Sequence, residues 1–216
     1  MASVEVRLVA DSEPLPQTAE IPWISPPPVF ILTGDELIAG TASAVKDFWA
    51  WGMSNLRTNT LRSMLAEYLV ACAVGAQASP RIEWDAFDVQ IPEGRIEVKA
   101  SAYLQSWDQP RNSRITFSGL RARTWDPRTQ LSERADYNAD VYVFALQAAD
   151  RHDRYEALDT TQWQFWVLPR AVVASTGYLS LGLTAVRRLA GQEPVLYRDL
   201  RSAILTAFAS RPPTVD

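Results

Sequence analysis

The residues of this chain best suited to chemistry are Glu97 and Lys99, which are separated by Val98. They lie at the end of a segment in which two β-like runs are joined by the turn signal Pro92-Glu93-Gly94. On a strand, residues i and i+2 share a face. The sequence therefore predicts that the Glu97 carboxylate and the Lys99 ammonium project together.

The first of the two β-like runs supplies two aspartates, Asp85 and Asp88. Either one could reach Glu97 from the neighbouring strand, and because they are three residues apart they face opposite sides of a regular strand. Strand parity alone does not choose between them. Two carboxylates can hold Mg²⁺, and a lysine beside the ion can position or activate a water molecule.

The use of lysine at position 99 is unusual for this chain. Of its 21 basic residues only Lys46 and Lys99 are lysines, and the other 19 are arginines. Arginine is a rigid and permanently charged fork, whereas lysine is a compact charge whose pKa moves on burial. The alternative is that Glu97 and Lys99 form the solvated charged face of an ordinary strand.

With its flanks, the segment resembles the core of the PD-(D/E)XK nuclease superfamily, which has the restriction-endonuclease-like fold. That pattern places an aspartate on one strand of a hairpin and Glu-x-Lys on the next, often with a glutamate from a preceding helix and a downstream glutamine. The resemblance covers roughly residues 57–107. It assigns Glu67 as the helix glutamate and Gln105 as the glutamine, and its hairpin matches Asp88 more closely than Asp85.

The resemblance implies an α/β (α+β) fold with a central mixed β-sheet flanked by helices. It also implies a Mg²⁺-dependent deoxyribonuclease, in which Mn²⁺ can substitute, with a role in bacterial defence or DNA processing. Asp88 and Glu97 would bind the metal, and Glu67 would bind a second ion directly or through water. Lys99 would position the attacking water and offset charge on the scissile phosphate, and Gln105 would orient the site or touch the DNA backbone.

Other interpretations of the same residues stay open. Glu67 lies among apolar residues of a helical pattern, and a buried carboxylate there can be satisfied by Arg57, Arg62 or a tyrosine instead of a metal. The acidic composition and the prolines near the N-terminus favour a nuclease-like module that binds a partner without turnover. A subunit of a larger nuclease complex is a third alternative. The clustered acids favour catalysis.

The length of 216 residues is typical of one domain, which we place at 33–216 after an N-terminal arm or edge segment at 1–32. One cysteine excludes an internal disulfide, and a single histidine, His152, excludes multi-histidine zinc sites and disfavours a Ser-His-Asp triad. No phosphate-binding glycine loop or dinucleotide fingerprint is present. No apolar run is long enough to span a bilayer, so we expect a cytoplasmic protein.

The net charge of −4 and the pI near 5.1 are unfavourable for strong non-specific DNA binding. One arginine-rich segment is the best candidate for a phosphate-contacting surface. The alternative is a solvated loop whose arginines pair with acids elsewhere. Trp107 and Trp125 could stack on bases. DNA is the expected partner, with a protein partner or a second copy also open. The arginines of the segment are Arg111, Arg114, Arg121, Arg123, Arg128 and Arg134.

Apolar periodicity predicts the elements that must hold these residues. One helix is expected from Thr33 through Trp51, and a second, carrying Glu67, from about Asn55 to Gly75. After the hairpin, strands are expected near 114–117, 140–146 and 163–168. Two further helices are expected at 184–189 and 199–208.

Overall fold

The computed structural model describes Pro27 and residues 29–83, 85–126 and 130–210, without the side chains of Asp126 and Gln130. The chain divides into two compact units, Met1–Phe30 and Ile31–Asp216. Most of the first unit lies outside the described residues, including the edge strand expected near Val4 to Leu8. Trp84 and Arg128 lie outside them as well.

The described part of the second unit contains five helices and eight strands. The helices are α1 (Val45–Met53), α2 (Asn59–Val74), α3 (Arg170–Ala174), α4 (Leu183–Ala190) and α5 (Leu200–Ala209). The strands are β1 (Val89–Ile91), β2 (Gly94–Ala102), β3 (Thr116–Ser118), β4 (Trp125–Asp126), β5 (Gln130–Leu131), β6 (Val141–Gln147), β7 (Trp163–Pro169) and β8 (Ser180–Gly182).

A four-stranded mixed sheet in the order β1-β2-β6-β7 forms the centre of the fold. β1 and β2 pair antiparallel as a hairpin, β2 and β6 pair parallel, and β6 and β7 pair antiparallel. β3 pairs with β8, and β4 with β5, in two small antiparallel ribbons. The α/β class and the mixed sheet flanked by helices are confirmed.

Alternating side chains of the sheet divide the core into two layers, as the period of two requires. On one face, Ile96 and Val98 of β2 pack in a cluster with Val70 of α2 and Ile204 of α5. On the other face, aromatic residues of β6 and β7 pack with Phe117 of β3 and with α3 and α4. Glu97 and Lys99 belong by parity to this second face.

The long helix predicted from Thr33 is wrong over its first half, because α1 begins only at Val45. The reason is a local polar turn. The Glu36 carboxylate accepts hydrogen bonds from Thr33 N, Thr33 Oγ1 and Gly34 N at 2.9–3.0 Å, which fixes a compact turn. Such side-chain-to-backbone bonds compete with helix formation.

The second helix, the hairpin and the later strands are confirmed. Thr58 caps α2 by accepting from Leu61 N, and Gly75 ends it in the left-handed conformation. The parallel pairing of β2 with β6 was not predicted. It requires a crossover through residues 103–140, which here carries β3, β4 and β5 instead of the usual helix.

Candidate active site

Asp88 lies at the end of the β1–β2 hairpin, where its carboxylate bonds the β2 backbone between Glu97 and Lys99. The regular register of β1 with β2 ends at the pair Val89–Ile96. Asp88 N donates to Ile96 O at 3.1 Å, and Asp88 Oδ2 accepts from Val98 N at 2.7 Å. The carboxylate therefore satisfies a backbone donor of β2 at the point where the regular β1 ladder ends.

Lys99 lies on the same face of β2 as Glu97, as the sequence predicted. Lys99 Nζ is 2.5 Å from Glu97 Oε1, and the two side chains are 22 % and 15 % exposed. This is a largely buried ion pair rather than a solvated charged face. The ordinary-strand interpretation therefore does not describe this position.

The crossover from β2 to β6 passes beside the Lys99 ammonium. A Cβ added at Gly119, which directly follows β3, would lie 3.6 Å from Lys99 Nζ. The backbone at Gly119 has φ +72°, a conformation that glycine adopts without strain. Sequence reasoning missed this residue. Its only signal was the Ser118-Gly119 turn pair.

Tyr142 of β6 is a second neighbour that the sequence did not reveal. It is paired with Glu97 in the β2–β6 register, and its hydroxyl donates to Leu120 O at 3.2 Å. Burial raises the pKa of Tyr142, and the negative charge of Glu97 raises it further. Tyr142 thus holds the crossover loop against the sheet beside Glu97.

Glu67 of α2 is buried and paired with a guanidinium. Arg81 Nε donates to Glu67 Oε2 at 2.5 Å, and this bond raises the pKa of Arg81. The alternative of an arginine partner for Glu67 is thus what the structure shows, although the partner is neither Arg57 nor Arg62. Arg81 follows Ser79-Pro80 in a loop, where no sequence pattern pointed to it.

Two acids of this region have raised pKa values. Burial raises the pKa of Asp88 to about 7, and the charges of Glu97 and Glu67 add to the shift, against the Val98 N–H and Lys99. Burial also raises the pKa of Glu97, which Lys99 partly offsets. Clustered carboxylates with raised pKa values are typical of functional sites, because a nearby cation would relieve their repulsion.

Asp88 and Glu97 fit a hard divalent cation by their chemistry. They are two neighbouring, partly buried oxygen donors, and the cations close to them are Lys99 and Arg81. Over the described residues, however, no group of three or more His, Cys, Asp or Glu side chains is arranged to hold a metal ion. Glu67 forms an ion pair with Arg81 instead.

Asp85 is placed differently from Asp88. It is exposed, and its Oδ1 accepts a hydrogen bond from the adjacent Ala86 N at 2.7 Å. Both aspartates and Glu67 line one groove of about 490 Å³ between α2 and the segment before β1. Of the two candidates, it is Asp88 whose carboxylate bonds β2 between Glu97 and Lys99.

Gln105 is buried, but its hydrogen bonds lead away from the carboxylates. Its Oε1 accepts from Arg62 Nη2 at 3.1 Å, and its Nε2 donates to Ala102 O and Ser113 Oγ, both at 3.2 Å. These contacts tie α2 to the loop after β2. The structure therefore does not bring Gln105 together with Asp88, Glu97 and Lys99.

The arginines of the arginine-rich segment lie in two different environments. Arg111, Arg114, Arg123 and Arg134 are exposed or half-buried at the surface, and none of them forms an ion pair in the described ranges. Arg121 is half-buried, since its Nε and Nη2 donate to Ala135 O at 3.1 and 2.6 Å. Most of the described arginines in this segment are thus available to a ligand, whereas Arg121 holds its own loop.

Comparison of the chain with known proteins gave no matching family model, no matching characterised protein and no matching solved structure. None of the helices in the described ranges is long and apolar enough to cross a membrane.

Proposed function

We propose that this protein is a Mg²⁺-dependent nuclease of the restriction-endonuclease-like fold that hydrolyses DNA phosphodiester bonds. The observation that carries the proposal is the Asp88 carboxylate bonded to Val98 N, between Glu97 and Lys99, which form an ion pair on β2. The hairpin, the parallel strand β6 and the flanking helices support the fold assignment.

In this proposal Asp88 and Glu97 hold the metal. The bound ion would polarise the phosphate and lower the pKa of a water molecule. Lys99 pairs with Glu97, so its ammonium would orient that water and offset charge on the phosphate. Glu67 bonds Arg81 through Oε2, and its charge acts on both Asp88 and Glu97.

A nuclease-like module that binds without turnover is the second candidate. It is favoured by the cationic partners that two of the acids already have, Arg81 for Glu67 and Lys99 for Glu97. Such a module would bind its partner equally well with and without divalent metal. The two candidates therefore differ in a direct assay of cleavage.

The test is cleavage of supercoiled plasmid by the wild type and by Lys99→Ala. The wild type should nick or cut DNA with Mg²⁺ or Mn²⁺, and EDTA should abolish the activity. Lys99→Ala should lose at least about 100-fold in rate, as expected for removal of a group that stabilises the transition state.

Lys46→Ala is the matched control, because Lys46 is the other lysine and forms only an exposed pair with Asp35 among the described contacts. It should cut as the wild type does. Equal cutting by Lys99→Ala and wild type would overturn the proposal, as would the absence of metal-dependent cutting by a folded wild type.

A further inference from the structure

Arg62 of α2 carries a buried guanidinium with no acidic partner in the described ranges. The residue is 3 % exposed. Nη1 donates to the carbonyls of Arg57 and Leu104 at 2.9 and 3.3 Å, and Nη2 donates to the side-chain oxygens of Gln105 and Asn59. Its Nε is buried without a hydrogen-bond partner. Every acceptor is neutral, so the positive charge is not compensated, which is costly in a protein interior.

A second guanidinium lies close by. Arg57, in the loop before α2, has its Cζ 4.5 Å from the centre of the Tyr155 ring, and its Nε is also buried without a partner. Burial raises the pKa of Tyr155, while the charges of Arg62 and Arg57 oppose that rise. Both cations therefore act on the same buried ring, and neither forms an ion pair within the described part of the chain.

A pocket of about 270 Å³ opens beside Arg57, and Arg62 lies behind it, bonded to Gln105 of the lining. We call it the Arg57 pocket. Trp107 is 56 % exposed, so its ring is accessible from solvent. Asp108 is the single carboxylate in the described lining, and it opposes the attraction of a small free anion. The residues that line the pocket include Asn55, Arg57, Gln105, Trp107, Asp108 and His152.

We propose that the Arg57 pocket binds a phosphate group of a nucleic-acid strand, with the neighbouring base stacked on Trp107. A guanidinium matches the geometry of phosphate oxygens and forms charge-assisted hydrogen bonds with them. Arg57 lines the pocket, and its Nη1 and Nη2, which form no hydrogen bond in the described ranges, are the donors for this purpose, because Nε is buried. An exposed indole binds any base by stacking, which adds the attraction that offsets Asp108.

The Arg57 pocket is separate from the candidate active site. β2 carries Lys99 and ends at Ala102, and three residues of strand span about 10 Å. Gln105 lies beyond that end, so a phosphate in the pocket and a phosphate at Lys99 would be different groups of one strand. The pocket uses none of Asp88, Glu97 and Lys99, so its ligand class does not depend on hydrolysis.

The test is fluorescence anisotropy of the full chain with 3′-labelled 12-nucleotide oligothymidylate at low salt in EDTA, where no metal-dependent cleavage occurs. The oligonucleotide is used with a 5′-phosphate and with a 5′-hydroxyl. We expect Arg57→Gln and Trp107→Ala each to weaken binding about tenfold, because one removes a charge-assisted bond and the other a stacked base. Arg57→Lys should restore part of the affinity.

Arg151→Gln is the control, because Arg151 is an exposed arginine near His152 that already pairs with Asp153. It should bind within twofold of the wild type. A larger effect on the 5′-phosphorylated strand would assign the pocket to a terminal phosphate, and an equal effect on both strands would assign it to an internal one. Unchanged binding by folded Trp107→Ala and Arg57→Gln, or no binding by the wild type, would overturn the inference.

Because binding is measured in EDTA, its outcome is distinct from that of the cleavage assay. Binding that depends on Arg57 in a protein that never cuts DNA would leave this inference standing and remove the proposed nuclease activity. A protein that cuts DNA but whose binding is unaffected by Arg57→Gln would keep the proposed nuclease activity and remove the proposed phosphate site at the Arg57 pocket.

Discussion

Asp88 is partly buried and bonded to Val98 N of β2, and the charges of Glu97 and Glu67 act on it. Its charge is stabilised by the Val98 N–H and by Lys99, but burial and the two other acids outweigh them. When no cation is bound, these carboxylates therefore lower the stability of the folded protein. This is typical of sites in which function, rather than stability, selects the residues.

The pH dependence of stability follows from the pKa of Asp88. A carboxyl whose pKa rises to about 7 on folding contributes stability that is complete below its unfolded value and is lost as the pH rises through 7. In EDTA, the free energy of unfolding should fall between about pH 4 and pH 7. Asp88→Asn should remove on the order of 4 kcal/mol of that fall and be more stable than the wild type at pH 8.

Urea denaturation at pH 5 and pH 8 measures this difference. Asp85→Asn is the control, because Asp85 is exposed and its carboxylate bonds only its neighbour Ala86 among the described contacts. It should keep the pH dependence of the wild type. An Asp88→Asn protein that lost stability with pH as steeply as the wild type would show that Asp88 is not the titrating group.

At the scale of elements, the crossover between β2 and β6 completes the site. It places Gly119 beside the Lys99 ammonium, and Tyr142 secures the next residue, Leu120. The crossover thus covers the face of β2 that carries Glu97 and Lys99. The positions of these two side chains depend on a loop that is distant from them in sequence.

Gly119→Ala tests whether the close contact between Gly119 and the Lys99 ammonium matters for the site. An alanine at φ +72° is strained by about 1 kcal/mol, and its methyl group would lie 3.6 Å from Lys99 Nζ. Gly177→Ala is the matched control, since Gly177 has φ +68° and open space around it. Denaturation should show similar decreases in stability for both variants.

The two variants should differ in cleavage. Gly119→Ala should cut DNA at least about tenfold more slowly than Gly177→Ala, because small displacements at a reacting centre are costly. Equal rates would show that the crossover does not contribute to the site.

Local patterns predicted the elements around the site well. The period of two put Glu97 and Lys99 on one face of a strand, and apolar spacing together with Gly75 defined α2. Long-range features were not predictable. The parallel register of β2 with β6, the approach of Gly119 and the pairing of Arg81 with Glu67 depend on interactions between distant segments.

The start of α1 also shows that local patterns do not fully predict the elements. The apolar residues after Thr33 have helical spacing, but the polar turn built by Glu36 prevents a helix there. Similarly, the position of Gln105 in the sequence resembled a site residue, whereas its hydrogen bonds join α2 to the loop after β2.

At the scale of the whole molecule, the chain is acidic, with a net charge of −4. The proposed DNA binding would then depend on a few local cations, and the surface arginines between Arg111 and Arg134 are the main group available in the described ranges. Arg121 is a poor candidate, because Ala135 O already accepts from it. We therefore expect weak affinity that falls steeply with salt.

Replacing Arg114 and Arg123 together with alanine should flatten the slope of log affinity against log salt by roughly 2, because two phosphates would no longer be neutralised. The control pair is Arg151 with Arg198, which are exposed but paired with Asp153 and Asp199. Its slope should match that of the wild type. An unchanged slope in the first double variant would place the DNA surface elsewhere or on a partner protein.

Crystals soaked in Mn²⁺ test most directly whether Asp88 and Glu97 together hold a divalent cation. We predict an anomalous peak between the two side chains, with one carboxylate oxygen of each at roughly 2.0–2.2 Å. The peak should be absent from Asp88→Asn crystals soaked in the same way. No peak at this position in the wild type, or a peak that Asp88→Asn leaves unchanged, would contradict the proposed metal site.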